Sequence, residues 1–214
     1  GQTEAIVEDI PAFINYIEQF EGKRPDYWVA HSWGGVLMNS VFARFPEYLK
    51  EVKACAYFGS KRSLFNNHPK KLLQANVIWY FMAPILAKKQ GYLNAKGYKW
   101  GSDNESQKSH YQSMQWAKKR PWIDSDDGFD YAKALAKVQV PPTLHIGAVN
   151  DKALAQPVDI KKFMAESGPG KQTLKIYGKR HGHSVDYDHI NMLTHPRARG
   201  EQFKDVVSWF NEHS

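Results

Sequence analysis

Apolar positions recur at helical spacing over residues 4–20, where Ile6, Ile10, Phe13, Ile14 and Ile17 predict an amphipathic helix that Pro11 either starts or kinks. A turn over residues 21–26 leads into a short apolar strand, Tyr27-Trp28-Val29-Ala30. The helical pattern resumes at Gly34 and runs through Val36, Leu37, Val41, Phe42 and Phe45, so strand, sharp turn and helix follow with no room between them. A second buried-type strand over residues 52–58 ends in Gly59-Ser60. From Lys61 to Lys137 the chain is rich in Trp, Tyr, Phe, Lys and Gln and has no strand-like run, which predicts a mainly helical insertion. Alternation returns over residues 142–147, followed by an acidic turn at Asn150-Asp151, a helix near residues 158–167, a Gly-Pro-Gly turn and a strand over residues 173–177. A loop rich in His and Asp precedes a last helix through Phe203, Val206, Val207 and Phe210. This order predicts the α/β class, a mostly parallel sheet with helices on both faces. It divides the chain into a first core part (1–60), the insertion (61–138) and a second core part (139–214).

Composition changes this picture little. A chain of 214 residues, 42% of them hydrophobic, is long enough to bury a core as one domain. The formal charge of +7 comes from Lys and Arg scattered along the chain, with local pairs at Lys61-Arg62, Lys70-Lys71, Lys88-Lys89 and Lys118-Lys119-Arg120, a pattern that predicts a solvated surface. No basic stripe or binding motif points to nucleic acid. The single cysteine, Cys55, excludes an intramolecular disulfide and lies in the second strand, where a small buried thiol is the ordinary occupant. The longest apolar stretch, residues 76–87, is too short to span a bilayer and contains Pro84. With its basic flanks it is a candidate for contact with a membrane surface.

The chemistry concentrates in Ala30-His31-Ser32-Trp33-Gly34-Gly35, between strand and helix. A nucleophile elbow requires this setting: the tight turn raises the serine hydroxyl above the sheet, and small neighbours keep the backbone from clashing. Ala30 stands where the Gly-x-Ser-x-Gly pattern has its first glycine. The alternative is an ordinary serine capping a helix. The segment resembles the elbow of the α/β-hydrolase superfamily, particularly its bacterial esterase- and lipase-like members. That resemblance implies Ser32 as nucleophile and an acid at Asp151, after the strand that follows the insertion. It also implies a histidine at His189, whose segment Asp188-His189-Ile190-Asn191-Met192-Leu193 is similar to the one preceding the last helix of that family. In these roles His189 takes the hydroxyl proton, Asp151 fixes the imidazole tautomer, and the backbone N–H of Trp33 is one oxyanion donor. The class of substrate it implies is a small or medium hydrophobic carboxylic ester, cleaved through an acyl-enzyme without a cofactor. Acyl transfer, lactone opening, C–C cleavage and a noncatalytic binding role remain alternatives on the same scaffold.

His181 and His183 share the loop of His189 and compete with it, as Asp124, Asp126 and Asp127 compete with Asp151, although acids placed before a helix usually cap it. The His- and Asp-rich loop also admits a metal reading. Its spacing fails the His-x-His-x-Asp-His pattern, since Asp186 comes one residue late and no His follows it, so no metal is assigned. In the superfamily the insertion is a lid that shapes the pocket, and His31, Trp79, Phe81, Met82 and Trp116 are the candidates for substrate contact. The chain departs from the family pattern at its start. Only one helix precedes Tyr27, so the first strand would be an open sheet edge, and a further N-terminal segment of the same fold, carrying the second oxyanion donor, is expected to cover it. A cytoplasmic location is the expectation for what remains.

Overall fold

Four parallel strands organise the chain in the order β1 (Tyr27–His31), β2 (Ala54–Phe58), β5 (Thr143–Ala148) and β6 (Gln172–Tyr177). The structure, a computed structural model, describes residues 1–65, 69, 72–101, 103–118 and 121–214, with the backbone alone for 72–76. The expected surface charges Lys70, Lys71, Lys119 and Arg120 therefore lie outside the described residues. The central strands β2 and β5 are buried along their whole length, which is why they read as continuous apolar runs. Their side chains alternate between two cores. Cys55 and Tyr57 join Val36, Val41 and Phe42 on one face, and Ala54, Ala56 and Phe58 join Leu144, Ile146, Tyr177 and Trp209 on the other.

Helices cover both faces. A short α1 (Gln2–Glu4) and a wide π-type segment (Ala5–Asp9) precede α2 (Ile10–Glu21). Pro11, within the first turn of α2, has no N–H to return to the preceding turn, and the helix widens where that bond is missing. The predicted amphipathic stripe is only partly covered: Ile6 and Ile14 are buried, whereas Phe13, Tyr16 and Phe20 are exposed. After β1 comes α3 (Trp33–Arg44), which packs on the first core. No strand among the described residues pairs with the outer side of β1, and Val29 in its middle is half-exposed.

Between β2 and β5 the chain runs through wide helical turns (Leu72–Met82), α4 (Ala83–Gln90), α5 (Gln107–Ala117) and α6 (Tyr131–Leu135). The expectation of no strand here fails at one point, a two-residue antiparallel pair of β3 (Tyr92–Leu93) with β4 (Glu105–Ser106). This pair brings Leu93 onto Ala83 and Ala87, so this part of the chain has a small core of its own. The last elements are α7 (Pro157–Glu166), α8 (Asn191–Thr194) and α9 (Gln202–Asn211). Among the described residues no helix is long and apolar enough to cross a membrane.

One buried titratable group in the sheet sets a pH dependence. His145 on β5 is fully buried between Tyr57 and Phe163, with one ring nitrogen 3.1 Å from Gln172 Oε1 and the other unpartnered. Burial pushes its pKa from 6.5 down to about 4. The folded chain then binds fewer protons than the unfolded one, so stability is full above pH 6.5 and falls as the pH drops toward 4. We expect this group to remove roughly 3 kcal/mol over that window, and denaturant titrations of the wild type and His145→Gln should show the slope in the first and its loss in the second.

Candidate active site

The turn between β1 and α3 holds Ser32 at φ 54°, ψ −119°, a left-sided conformation that few non-glycine residues adopt. Its neighbours make this turn feasible. The Ser32 N–H donates to Phe58 O at 2.7 Å, which ties the turn to β2. A Cβ on Gly35 would lie 2.4 Å from Ser60 Oγ, so only glycine lets α3 approach the end of β2 so closely. A Cβ on Gly34 would meet the Ala30 methyl at 3.5 Å, ordinary contact, and the alanine in place of the first glycine is accommodated. Ser32 makes no side-chain cap bond to α3, so it is not the ordinary capping serine.

Its hydroxyl is engaged elsewhere. His189 Nε2 lies 2.9 Å from Ser32 Oγ, and His189 Nδ1 lies 2.5 Å from Asp151 Oδ2. Asp151 follows β5 and His189 lies in the loop after β6, so three strands deliver these groups at the carboxyl end of the sheet. Asp151 is buried; its Oδ1 accepts from the N–H groups of Leu154 and Ala155 at 3.1 and 3.0 Å. Burial alone would raise the Asp151 pKa, but the His189 hydrogen bond and charge and the Ala155 N–H outweigh it and hold the carboxyl below its ordinary value. An ionised carboxylate only accepts, so Nδ1 carries the imidazole proton and Nε2 is the acceptor for the Ser32 hydroxyl. A hydroxyl so placed can lose its proton to the ring as it attacks an electrophile.

Two side chains complete the surroundings. His31 Nε2 donates to the His189 carbonyl oxygen at 2.8 Å, and its ring packs 4.7 Å from the His189 ring. His31 therefore fixes His189, and burial followed by the nearby His189 charge lowers its own pKa. Lys61, read from the sequence as a surface charge, is instead buried with Nζ 2.9 Å from Ser32 Oγ. Arg62 is buried as well, forked onto Glu166 at 2.6 and 2.7 Å and donating to Trp116 O at 2.5 Å. The one signal in the sequence was position: both follow Gly59-Ser60 at the carboxyl end of β2.

Gly59 gives a sharp test of this packing. Its φ is +58°, and a Cβ there would stand 3.0 Å from both Nδ1 and Cε1 of His189. We expect Gly59→Ala to cost about 1–2 kcal/mol in stability from the backbone and to lower kcat about 100-fold by displacing the ring, read by thermal melting beside steady-state kinetics.

The competing acids and histidines are engaged elsewhere. Asp124 does not cap a helix; it is buried and accepts from Thr3 Oγ1, the Tyr131 hydroxyl and Arg44 Nη2 at 2.7, 2.6 and 2.9 Å. Asp127 also pairs with Arg44, and Asp126 with Lys108. His181 is exposed in a short turn, and His183 packs 4.4 Å from Tyr177. Asp186 accepts from the Lys179 N–H, and Asp188 caps α8 through the N–H of Ile190 and Asn191.

The expected substrate contacts are dispersed. Trp79 packs against His110 within the insertion and Trp116 is wholly buried beside Trp33, Trp122 and Tyr131, while Phe81 is exposed and Met82 partly so. A cavity of about 310 Å³ lies between α4 and α5, and one of about 300 Å³ borders Asp151, Gln156 and Arg180; none of these four residues lines either. Trp79 and Trp116 are thus taken up by packing, whereas Phe81 and Met82 are exposed.

No protein-family model and no curated protein matches the chain. Solved structures do. The chain is similar to a monoacylglycerol lipase of Paleococcus ferrophilus at 15% identity and TM-score 0.53, covering 97% of this chain and 76% of that one. It is similar to a soluble variant of the Saccharomyces cerevisiae monoglyceride lipase at 18% identity and TM-score 0.62, covering 96% and 68%. A metagenome-derived lipolytic enzyme matches at 14% identity and TM-score 0.55, covering 96% and 71%. Identities this low speak to architecture alone, and together with the parallel sheet and the strained turn at Ser32 they establish that the chain has the α/β-hydrolase fold.

Proposed function

We propose that the chain is a serine hydrolase that cleaves a carboxylic ester through an acyl-enzyme on Ser32. The observation that carries this reading is the unbroken line from Asp151 Oδ2 through both nitrogens of His189 to Ser32 Oγ, with contacts of 2.5 and 2.9 Å. In the acylation step Oγ bonds to the carbonyl carbon, the π pair moves onto the carbonyl oxygen, and the hydroxyl proton passes to Nε2 of His189. Collapse re-forms the carbonyl and breaks the bond to the leaving alcohol, which takes that proton. Water then repeats the sequence and frees the acid. Trp33 is the first residue of α3, and its N–H, which has no partner within the helix, supplies one donor to the carbonyl oxygen as it gains charge.

The lipolytic activities named for the similar structures support an ester over an amide. The small or medium size of the substrate is carried over from the resemblance of the elbow, since neither cavity is lined by Ser32 or His189. Hydrolysis of p-nitrophenyl esters of increasing acyl length tests both points: turnover that falls beyond medium chains is expected, and no Ser32-dependent turnover of any ester would refute the reading.

A further inference from the structure

We propose that Lys61 is a catalytic residue of this site, its ammonium serving as a side-chain donor to the oxyanion formed when Ser32 attacks. The inference rests on the ester-hydrolase reading above and adds a group that reading does not use. Lys61 follows β2 and the Gly59-Ser60 turn, and it is buried with Nζ 2.9 Å from Ser32 Oγ. A buried lysine incurs a large desolvation cost unless something nearby favours its charge. Asp151 and Asp159 both do so at longer range, although burial outweighs them and the Lys61 pKa lies below its ordinary value.

The Ser32 oxygen has two neighbours with different capacities. His189 Nε2 accepts the hydroxyl proton, and the lone pairs that remain on Oγ face the ammonium. An ammonium has three protons and cannot accept, so the resting contact is Lys61 donating to Oγ. When Oγ bonds to the carbonyl carbon, negative charge appears on the carbonyl oxygen, one bond further on. Rotation about the end of the lysine side chain turns a proton toward that oxygen. Lys61 keeps all its protons throughout; the transferred proton moves only between Oγ, His189 and the leaving alcohol. A full positive charge in a dry site is a stronger donor than a neutral amide, and it acts mainly in the transition state.

The loop that presents Lys61 is held firmly. Arg62, the next residue, is forked onto Glu166 of α7 and bonded to the Trp116 carbonyl, and the Phe65 N–H donates to Asp159 Oδ1 at 2.5 Å. These anchors hold the chain after Lys61, and the Gly59 N–H donating to Ile146 O at 2.7 Å holds the chain before it, so Nζ is positioned before substrate arrives.

The test compares wild type, Lys61→Met and Lys61→Gln on one p-nitrophenyl ester, with labelling of Ser32 by a fluorophosphonate and inhibition by an alkylboronic acid, which forms a tetrahedral anion on the serine. We expect Lys61→Met to lower kcat by about 100- to 1,000-fold with KM nearly unchanged, and to weaken boronate inhibition by a similar factor. Lys61→Gln, which keeps a donor without the charge, should fall between the two. Thermal melting should show both variants folded, since methionine and glutamine remove a buried charge. Either folded variant that retains kcat and boronate affinity within threefold overturns the inference, while wild-type labelling and hydrolysis leave the ester-hydrolase reading standing. If wild type neither labels at Ser32 nor turns over an ester, that reading falls and this inference falls with it.

Discussion

Ser32→Ala should lower kcat for ester hydrolysis by about five to six orders of magnitude and abolish fluorophosphonate labelling. The size follows from the way the three groups act. Without Oγ there is no acyl-enzyme, and the polar contacts left can only favour attack by water. His189→Ala should cost nearly as much, because Oγ would lose the acceptor 2.9 Å away that takes its proton. The double variant should be scarcely worse than either single one, since each removes the same step. Additive losses in the double variant would mean that the two residues act independently, and the line of contacts through His189 would then have another purpose. Ser32→Ala should also cost about 1–3 kcal/mol in stability, because the buried Lys61 loses the acceptor 2.9 Å from its Nζ, while the helix start is unaffected since the hydroxyl caps no helix and the alanine keeps the Cβ. Alanine also inherits the strained φ, so that cost is common to both proteins.

Much of this arrangement is legible in the sequence, for identifiable reasons. The central strands β2 and β5 announce themselves because a parallel sheet covered on both faces buries every position, the edge strands β1 and β6 show through shorter apolar runs, and the ends of all four fall within two residues of the expected ones. The turn at Ser32 is legible because small residues at Ala30, Gly34 and Gly35 serve a steric need that the structure makes explicit at Ser60. Asp151 and His189 are legible only through likeness to a family, since nothing in local pattern says that residues 38 positions apart will meet. Lys61 and Arg62 are illegible because a basic pair in sequence looks the same whether it faces water or turns inward. What buries them is the long-range pairing with Glu166 and the contact with Ser32. Trp116 misleads in the opposite direction: a candidate for substrate contact, it proves to be core.

The basic excess also acquires a different meaning. Most of it is solvated, but Lys61 and Arg62 bring two basic side chains to the carboxyl end of the sheet beside Ser32. Glu166 answers Arg62 directly, and Asp151 answers His189, while among the described residues Lys61 meets the serine oxygen and the more distant fields of Asp151 and Asp159. In the proposed ester hydrolysis, a site so charged favours the anionic transition state over the neutral ester, the differential that catalysis requires.

Asp151→Asn is the second large effect to expect, with kcat lower by about 10,000-fold while the fold is kept. The carboxylate has two tasks. Oδ1 accepts from the N–H groups of Leu154 and Ala155, and an asparagine oxygen can take over that position. The amide nitrogen must then face His189 Nδ1 and can only donate to it, which drives the imidazole proton to Nε2. A protonated Nε2 points its hydrogen at Ser32 Oγ and can no longer take the hydroxyl proton, so the base is lost although every atom remains near its place. The pH dependence of stability provides an independent check. The folded carboxyl lies below its unfolded pKa, so its contribution is fully present above the ordinary Asp value of 3.8 and is lost as the pH falls through the lower folded one. In Asp151→Asn that acid-side loss disappears. If the variant instead keeps kcat within tenfold of wild type, the carboxylate does not set the tautomer of His189, and the line from Asp151 to Ser32 is not what activates the hydroxyl.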